Sequence, residues 1–355
     1  MRALSKTISY FSPRYLAWCC CSIAIVFIPF FLIVGIGGAN PIRTFIAILF
    51  GAFGNSTCFI ETLTRATPII FCALAVSLPA RTGIFNIGGE GQLYLGAVGA
   101  TLVALKCTNL PIPFSILAMS ITAAIFGGLW ASIPAFLKVV WNVNEVLVAL
   151  MLNYVAIFMV EYLVHGPWRD PSAIGWPYSA RFSDAMVLPT YGTTNLHIGL
   201  IIAFTIAILL SLVMKYSTVG FSMKIIEANP SVAKNITLRI SHYLWFSMFL
   251  GGAIAAMAGI GEVSVIQGRL RPGISPGYGY AGFLVAWLSS HRFAFIIPVS
   301  VLIGGLYSGA DELQLTAGLP SATADILMGM VFIGFLIGNH LYDRYTPLKN
   351  GENKS

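Results

Sequence analysis

Repeated apolar runs of about 20 residues constrain this chain more than any other feature, because one such run crosses the ~30 Å hydrocarbon core of a bilayer as a helix. They lie near 15–36, 66–80, 91–106, 112–137, 145–165, 196–215, 242–261, 279–290, 293–309 and 322–341. Composition closes the soluble alternative. Of the 355 residues 57% are hydrophobic and 9% charged, whereas soluble domains carry roughly 25% charge. Water cannot solvate so apolar a surface, so lipid must be part of the solvent. The sequence predicts an all-α polytopic membrane helix bundle of about ten transmembrane helices.

Charge placement orients the bundle. With the N-terminus inside, the outer segments hold only Arg43, Arg65, Lys106, Arg169, Arg181, Arg269 and Arg271 of the 20 Lys and Arg. The remainder are cytoplasmic, the bias that sets orientation in membranes, and an even number of spans returns the C-terminus inside. The excess of basic residues is therefore topology, not a nucleic-acid footprint. The basic start resembles a secretory leader, but its apolar run of about 22 residues exceeds the usual 7–15 of a cleaved signal, which favours an uncleaved first helix. Cys19, Cys20 and Cys21 sit inside that run, and no CxxC spacing occurs, so the cysteines suggest neither a disulfide framework nor a metal site.

The expected organisation is a cytoplasmic N-terminus (1–14), one membrane domain (15–341) and a cytoplasmic tail (342–355). Within the domain, 166–195 is an outer loop dense in Pro, Trp and Tyr, either a tether or a docking surface for an external partner. The stretch 40–65 is a second outer segment, whose apolar piece Phe45–Phe53 is too short to span and reads as interfacial. A cytoplasmic segment occupies 216–241.

Four motifs break the apolar pattern. The first is Phe85-Asn86-Ile87-Gly88-Gly89-Glu90-Gly91-Gln92, between two apolar runs. Its glycines allow tight turns and close helix approach, and backbone groups freed at that depth must be satisfied by protein or a wet cavity. Glu90 is a candidate N-cap for the next helix or a partner for Arg81; a simple hairpin is the blander alternative. In the second, Asn144 and Glu145 start a helix that carries Asn153 and Tyr154 about 12–14 Å further along. A buried Asn needs a partner, either another helix or a transported molecule.

The third motif is Glu227-Ala228-Asn229-Pro230-Ser-Val-Ala-Lys234-Asn235. Asn followed by Pro is a helix-start signal, with Asn as cap and Pro at the first position. It opens a short helix too polar to span, or an ordinary loop helix. The fourth, Ser275-Pro-Gly-Tyr-Gly-Tyr280, formally continues into G-x-G-x-x-G but lacks the preceding strand of a dinucleotide site; it reads as a flexible outer start to a helix. No G-x-x-x-x-G-K-[ST] motif occurs, the five histidines are scattered, and no nucleophile–base pair presents itself, so catalysis and a cofactor are not expected. The acids Glu262, Asp311, Glu312 and Asp325 read as flanking helix ends, or as a proton or cation relay.

From about Asn40 to Tyr342, these motifs in this order resemble the permease subunits of bacterial ABC importers of the nucleoside and simple-sugar (ribose-type) family. The first motif is the most specific. The extra N-terminal helix and the 166–195 loop are similar to the longer permease of nucleoside systems. The resemblance implies a permease in the inner membrane whose ATP hydrolysis lies on a separate ABC ATPase subunit. It also implies a second permease in a heterodimer, and an external nucleoside-binding lipoprotein. It further implies that Glu227 to Asn235 forms the helix that takes up ATPase motion. Asn144, Glu145, Asn153 and Tyr154 are then expected near the substrate path, and Phe85 to Gln92 in a structural turn or ATPase contact. A simple sugar is the alternative cargo. The rivals are an ion-coupled secondary transporter using Glu161 or Asp325, and a membrane assembly subunit without its own path. No internal repeat favours secondary transport.

Overall fold

The computed structural model describes residues 24, 27–32, 34–107, 110–173, 175–316 and 322–345. Cys19 to Cys21 and most of the first expected helix lie outside them. In chain order the helices are α1 (Pro41–Phe53), α2 (Ser56–Ala80), α3 (Gly89–Lys106), α4 (Ile112–Trp141), α5 (Glu145–His165), α6 (Gly199–Tyr216), α7 (Thr218–Ala228), α8 (Pro230–Asn235), α9 (Ile240–Gly261), α10 (Tyr278–Leu288), α11 (Phe293–Thr316) and α12 (Ala322–Tyr345). A π turn, Glu262–Ile266, continues α9. Among the described residues the extended pairing is confined to two isolated bridges.

Six helices are long and apolar enough to cross a membrane: α2, α4, α5, α6, α9 with its π turn, and α11 over Phe293–Glu312. Phe27–Ile36 and α1, bent by 108° at their junction, bring the number to seven if they count as one span. Three further expected runs are helices that fall short of this measure. α3 opens on Gly89, Glu90, Gly91 and Gln92, which dilute its apolar content; α10 has 11 residues; and the apolar stretch of α12 is Asp325–Gly338.

The expected outer segment 40–65 is corrected. It is helical, with α1 capped by the Asn40 side chain, whose Oδ1 accepts from Ile42 N at 3.1 Å and Arg43 N at 3.2 Å. Pro41 at the first position fixes the backbone angle that the helix needs. α2 then starts ten residues before the expected second span. Its polar first half stays helical because polar groups are paired within it: Arg65 meets Glu61 one turn away at 3.2 Å, and the Thr64 and Thr67 hydroxyls donate to carbonyls four residues back.

The chain divides into two compact units, residues 1–58 with 305–355, and Phe59–Gly304. In the first, Phe30, Val34, Ile48 and Leu327 form a buried cluster, and the Ser308 hydroxyl donates to Gly51 O at 3.0 Å. In the second, α3 lies among α2, α4, α9 and α10, and α3, α4 and α9 pack on small residues. A methyl on Gly252 would strike the backbone of Gly127 and the side chain of Ala131, so α4 and α9 touch main chain to main chain. Without a hydrophobic drive between helices in lipid, such van der Waals contact carries the association. α2 is 89% buried over its apolar window and α5 only 22%, which makes α2 central and α5 peripheral.

The 166–195 loop is ordered without regular strands. It is tied to the segment after α9 by Ser179 N to Leu270 O (3.0 Å), Leu270 N to Ser179 Oγ (2.9 Å) and Phe182 N to Gly268 O (2.9 Å). Trp176, 64% exposed, stacks on Tyr178, and the Arg269 guanidinium covers the other ring at 4.6 Å.

Candidate functional site

The Gly-rich motif and the Tyr-Gly-Tyr motif, 189 residues apart, meet at two helix N-termini. After α2 the chain turns through Gly83 and runs without helix from Ile84 to Gly88 before α3 begins. Asn86 holds this stretch: its Nδ2 donates to Ala75 O (3.2 Å) and Gln92 Oε1 (3.0 Å), and its Oδ1 accepts from Gly88 N (3.1 Å) and Gln92 Nε2 (2.7 Å). Asn86 and Gln92 are fully buried, yet these bonds use most of their polar capacity, as burial requires.

α10 begins in a similar way. Gly277 sits at φ +99°, a left-handed conformation that favours glycine. The Ser275 hydroxyl accepts from Gly277 N at 3.1 Å and Tyr278 N at 2.9 Å, satisfying donors that a helix start leaves free. A third donor, Gly279 N, is taken by the Glu90 carboxylate at 2.7 Å. Glu90 thus caps α10 from the first turn of α3, its carboxyl oxygen satisfying an N–H that the helix start leaves free. The sequence offered the start of its own helix, or Arg81, as its partner. Instead Arg81 lies at the far end of α10, donating from Nη2 to His291 O at 2.7 Å, with Glu227 3.9 Å from Nη1. Only glycine fits at 279, because a Cβ there would fall on the Glu90 backbone.

Two helix lengths place this junction in depth. α10 rises about 15 Å from Tyr278 to Leu288, next to the Arg81–His291 contact. From Glu145, which pairs with Lys138 at 3.1 Å, Asn153 is about 12 Å along α5. Both put the junction near the middle of a ~30 Å core.

Asn153 is fully buried and joins α5 to the Gly-rich turn: its Oδ1 accepts from Gly91 N at 2.9 Å and its Nδ2 donates to Ile87 O at 3.0 Å. The next residue, Tyr154, is 54% exposed, and the Tyr280 ring, 36% exposed, lies beside Asn153 and near Tyr154. Tyr280 therefore stands between a fixed amide and a second partly open tyrosine. Asn144 caps α5 through Val146 N (2.9 Å), and Glu145 is engaged by Lys138. Phe85 stacks on Trp287 of α10 at 5.9 Å. Gly279 and Tyr280 complete the junction. Within the sequence, the two Gly-flanked breaks in apolar runs are the signal that pairs their motif with the first.

The segment 216–241 forms separately. Asn229 caps α8 by accepting from Ser231 N (3.0 Å) and Val232 N (3.3 Å), with Pro230 at the first position. Ala233 is buried beneath it, while Glu227, Ala228, Lys234 and Asn235 are exposed. Of the expected relay acids, Glu262 is buried at the α9 π turn and Asp325 lies in the first turn of α12.

Residues 58–336 match the family described as the branched-chain amino acid transport system / permease component. The chain belongs to this permease family. A glucose ABC transporter permease of Haloferax volcanii is 34% identical over 85% of the chain and 80% of that protein. A guanosine ABC transporter permease of Bacillus subtilis is 29% identical over 85% of the chain and 87% of that protein. A nucleoside ABC transporter permease of Lactococcus lactis is 27% identical over 83% of each. The permease is thus a multi-pass membrane component of an ATP-binding-cassette importer, and the matched span contains both the junction and the segment 216–241.

Proposed function

We propose that this permease forms the nucleoside path of its importer, working with a separate ABC ATPase, a second permease in a heterodimer and an external nucleoside-binding lipoprotein. The observation that carries the cargo is the junction itself: partly exposed Tyr280 lies beside the Asn153 amide and near exposed Tyr154 at mid-depth. Purine and pyrimidine bases stack on aromatic rings, which is worth about 1–3 kcal/mol per base. Alignment with the guanosine permease over 85% of this chain and 87% of that one supports the same reading.

In this reading both termini are cytoplasmic, the bundle crosses the inner membrane about ten times, and the broken helices α3 and α10 contribute to that number. Leu147, Met151, Tyr154, Phe158 and Tyr162 form an exposed stripe on α5. A phenol at mid-depth is poorly placed against lipid tails, so the stripe faces the second permease and the substrate runs between the two, past Asn144 and Glu145. Glu227, Ala228, Asn229, Pro230, Lys234 and Asn235 dock in the ATPase and carry its closure to α9. Phe85, Asn86, Gly88, Gly89, Glu90, Gly91 and Gln92 keep the junction rigid. Trp176 and Tyr178 offer the outer docking surface.

A second reading, import of a simple sugar, draws on the 34% identity to the glucose permease. Competition decides between them. Uptake of labelled guanosine by the reconstituted importer is expected to be blocked by unlabelled nucleosides and untouched by glucose. The opposite pattern overturns the nucleoside assignment.

A further inference from the structure

At the end of the bundle where α2 and α6 finish, a 220 Å³ pocket is lined by Arg81, Lys215, Lys224 and Arg292 together with Met214 and the chain from Phe293 to Phe295. Four cations from four different parts of the chain converge here. Neither Lys215, Lys224 nor Arg292 is in ion-pair contact with a carboxylate among the described residues, and Glu227 lies 3.9 Å from Arg81 alone. The Arg81 Nε is buried and makes no hydrogen bond. The other three cations are exposed.

The surroundings say what kind of anion fits. Lys215 is in the last turn of a membrane-spanning helix, and Ser211, one turn further in, also lines the pocket. Phe295 is 53% exposed, so the pocket opens on a surface that hydrocarbon covers. Cations above and apolar side chains below match a molecule with a charged head and acyl tails. A soluble anion would use the cations and leave the apolar side unmatched. We propose that this pocket holds the phosphate headgroup of an anionic phospholipid, with its tails lying along α6 and α11. The proposal rests on the functional reading above only in placing this end at the cytoplasmic leaflet, where anionic lipids attract basic residues.

The test needs neither substrate nor ATPase, so its failure is separable from failure of the transport reading. The full-length permease is purified in mild detergent with equal amounts of phosphatidylglycerol and phosphatidylcholine of the same chains, and retained lipid is counted by native mass spectrometry. Phosphatidylglycerol is expected to be kept in preference. The triple variant Lys215→Gln, Lys224→Gln, Arg292→Gln is expected to lose retention by about fivefold per cation removed. Arg169→Gln with Arg181→Gln, at the other end of the bundle, is expected to change nothing, and Arg292→Lys to keep retention. Monodispersity of each variant on size exclusion guards against misfolding. Equal retention of the two lipids, or full retention by the triple variant, overturns the proposal. So does displacement of phosphatidylglycerol by millimolar inorganic phosphate, which assigns the pocket to a soluble anion.

Discussion

Asn153 and Gly91 are joined by a 2.9 Å hydrogen bond between the amide oxygen of one and the backbone N–H of the other, which fastens a peripheral helix to a broken one. The same side chain donates to Ile87 O at 3.0 Å. Asn153→Leu removes both partners and strands a donor and an acceptor in a buried place. A loss of roughly 1–3 kcal/mol is expected, read as a lower unfolding temperature of the purified permease. Unchanged stability would mean that these bonds do not hold α5.

The contact between Glu90 and Gly279 separates charge from capping. Glu90→Gln keeps an oxygen that accepts from Gly279 N, so it is expected to fold and transport close to the parent. Glu90→Leu leaves that N–H without a partner, and Gly279→Ala drives a methyl into the Glu90 backbone. Both are expected to reduce monodisperse yield several-fold on fluorescence-detected size exclusion. Normal yield from Gly279→Ala would contradict the close approach of α3 and α10.

The segment 216–241 is tested by charge. Glu227 is 44% exposed and 3.9 Å from Arg81, a spacing and exposure that give little stability. Reversal at Glu227 and Lys234 together is therefore expected to leave the fold intact while separating ATP hydrolysis from uptake in the reconstituted importer. Normal coupled uptake by Glu227→Lys with Lys234→Glu would remove the coupling role from α8.

His197, just before α6, gives a pH dependence. Burial pushes its imidazole down to about 4, whereas an unfolded chain titrates near 6.5. Its Nδ1 accepts from Gly199 N at 3.1 Å, a bond that protonation at Nδ1 abolishes. The unfolded state takes up the proton first as pH falls. This contribution to stability is therefore complete above about pH 6.5 and declines by roughly 3 kcal/mol towards pH 4. Thermal unfolding at a series of pH values is expected to follow that slope, and His197→Asn, whose amide oxygen replaces Nδ1, to flatten it. An identical slope in the variant would assign the effect elsewhere.

Periodic apolarity was enough to locate α4, α5, α6 and α9, because each is a long apolar run that few polar residues interrupt. It failed over 40–65, where the Glu61–Arg65 pair and hydroxyls bonded to the preceding turn hide a helix under polar letters. The caps at Asn144 and Asn229 were legible, since Asx capping is local chemistry. The junction was not. That Gly279 meets Glu90 depends on how α3 and α10 cross, and nothing within either motif encodes a contact 189 residues away. Asn153 marked a buried partner without naming it, and the partner proved to be the backbone of the first motif.

The most direct measurement is guanosine uptake into proteoliposomes containing this permease with and without its ATPase, second permease and binding lipoprotein. The expected result is accumulation that needs ATP and all four components, and that falls at least about tenfold in Tyr154→Ala with Tyr280→Ala, the loss of two stacking surfaces. Accumulation by the permease alone under an ion gradient, without ATP, would contradict the account and turn attention to Glu161 and Asp325.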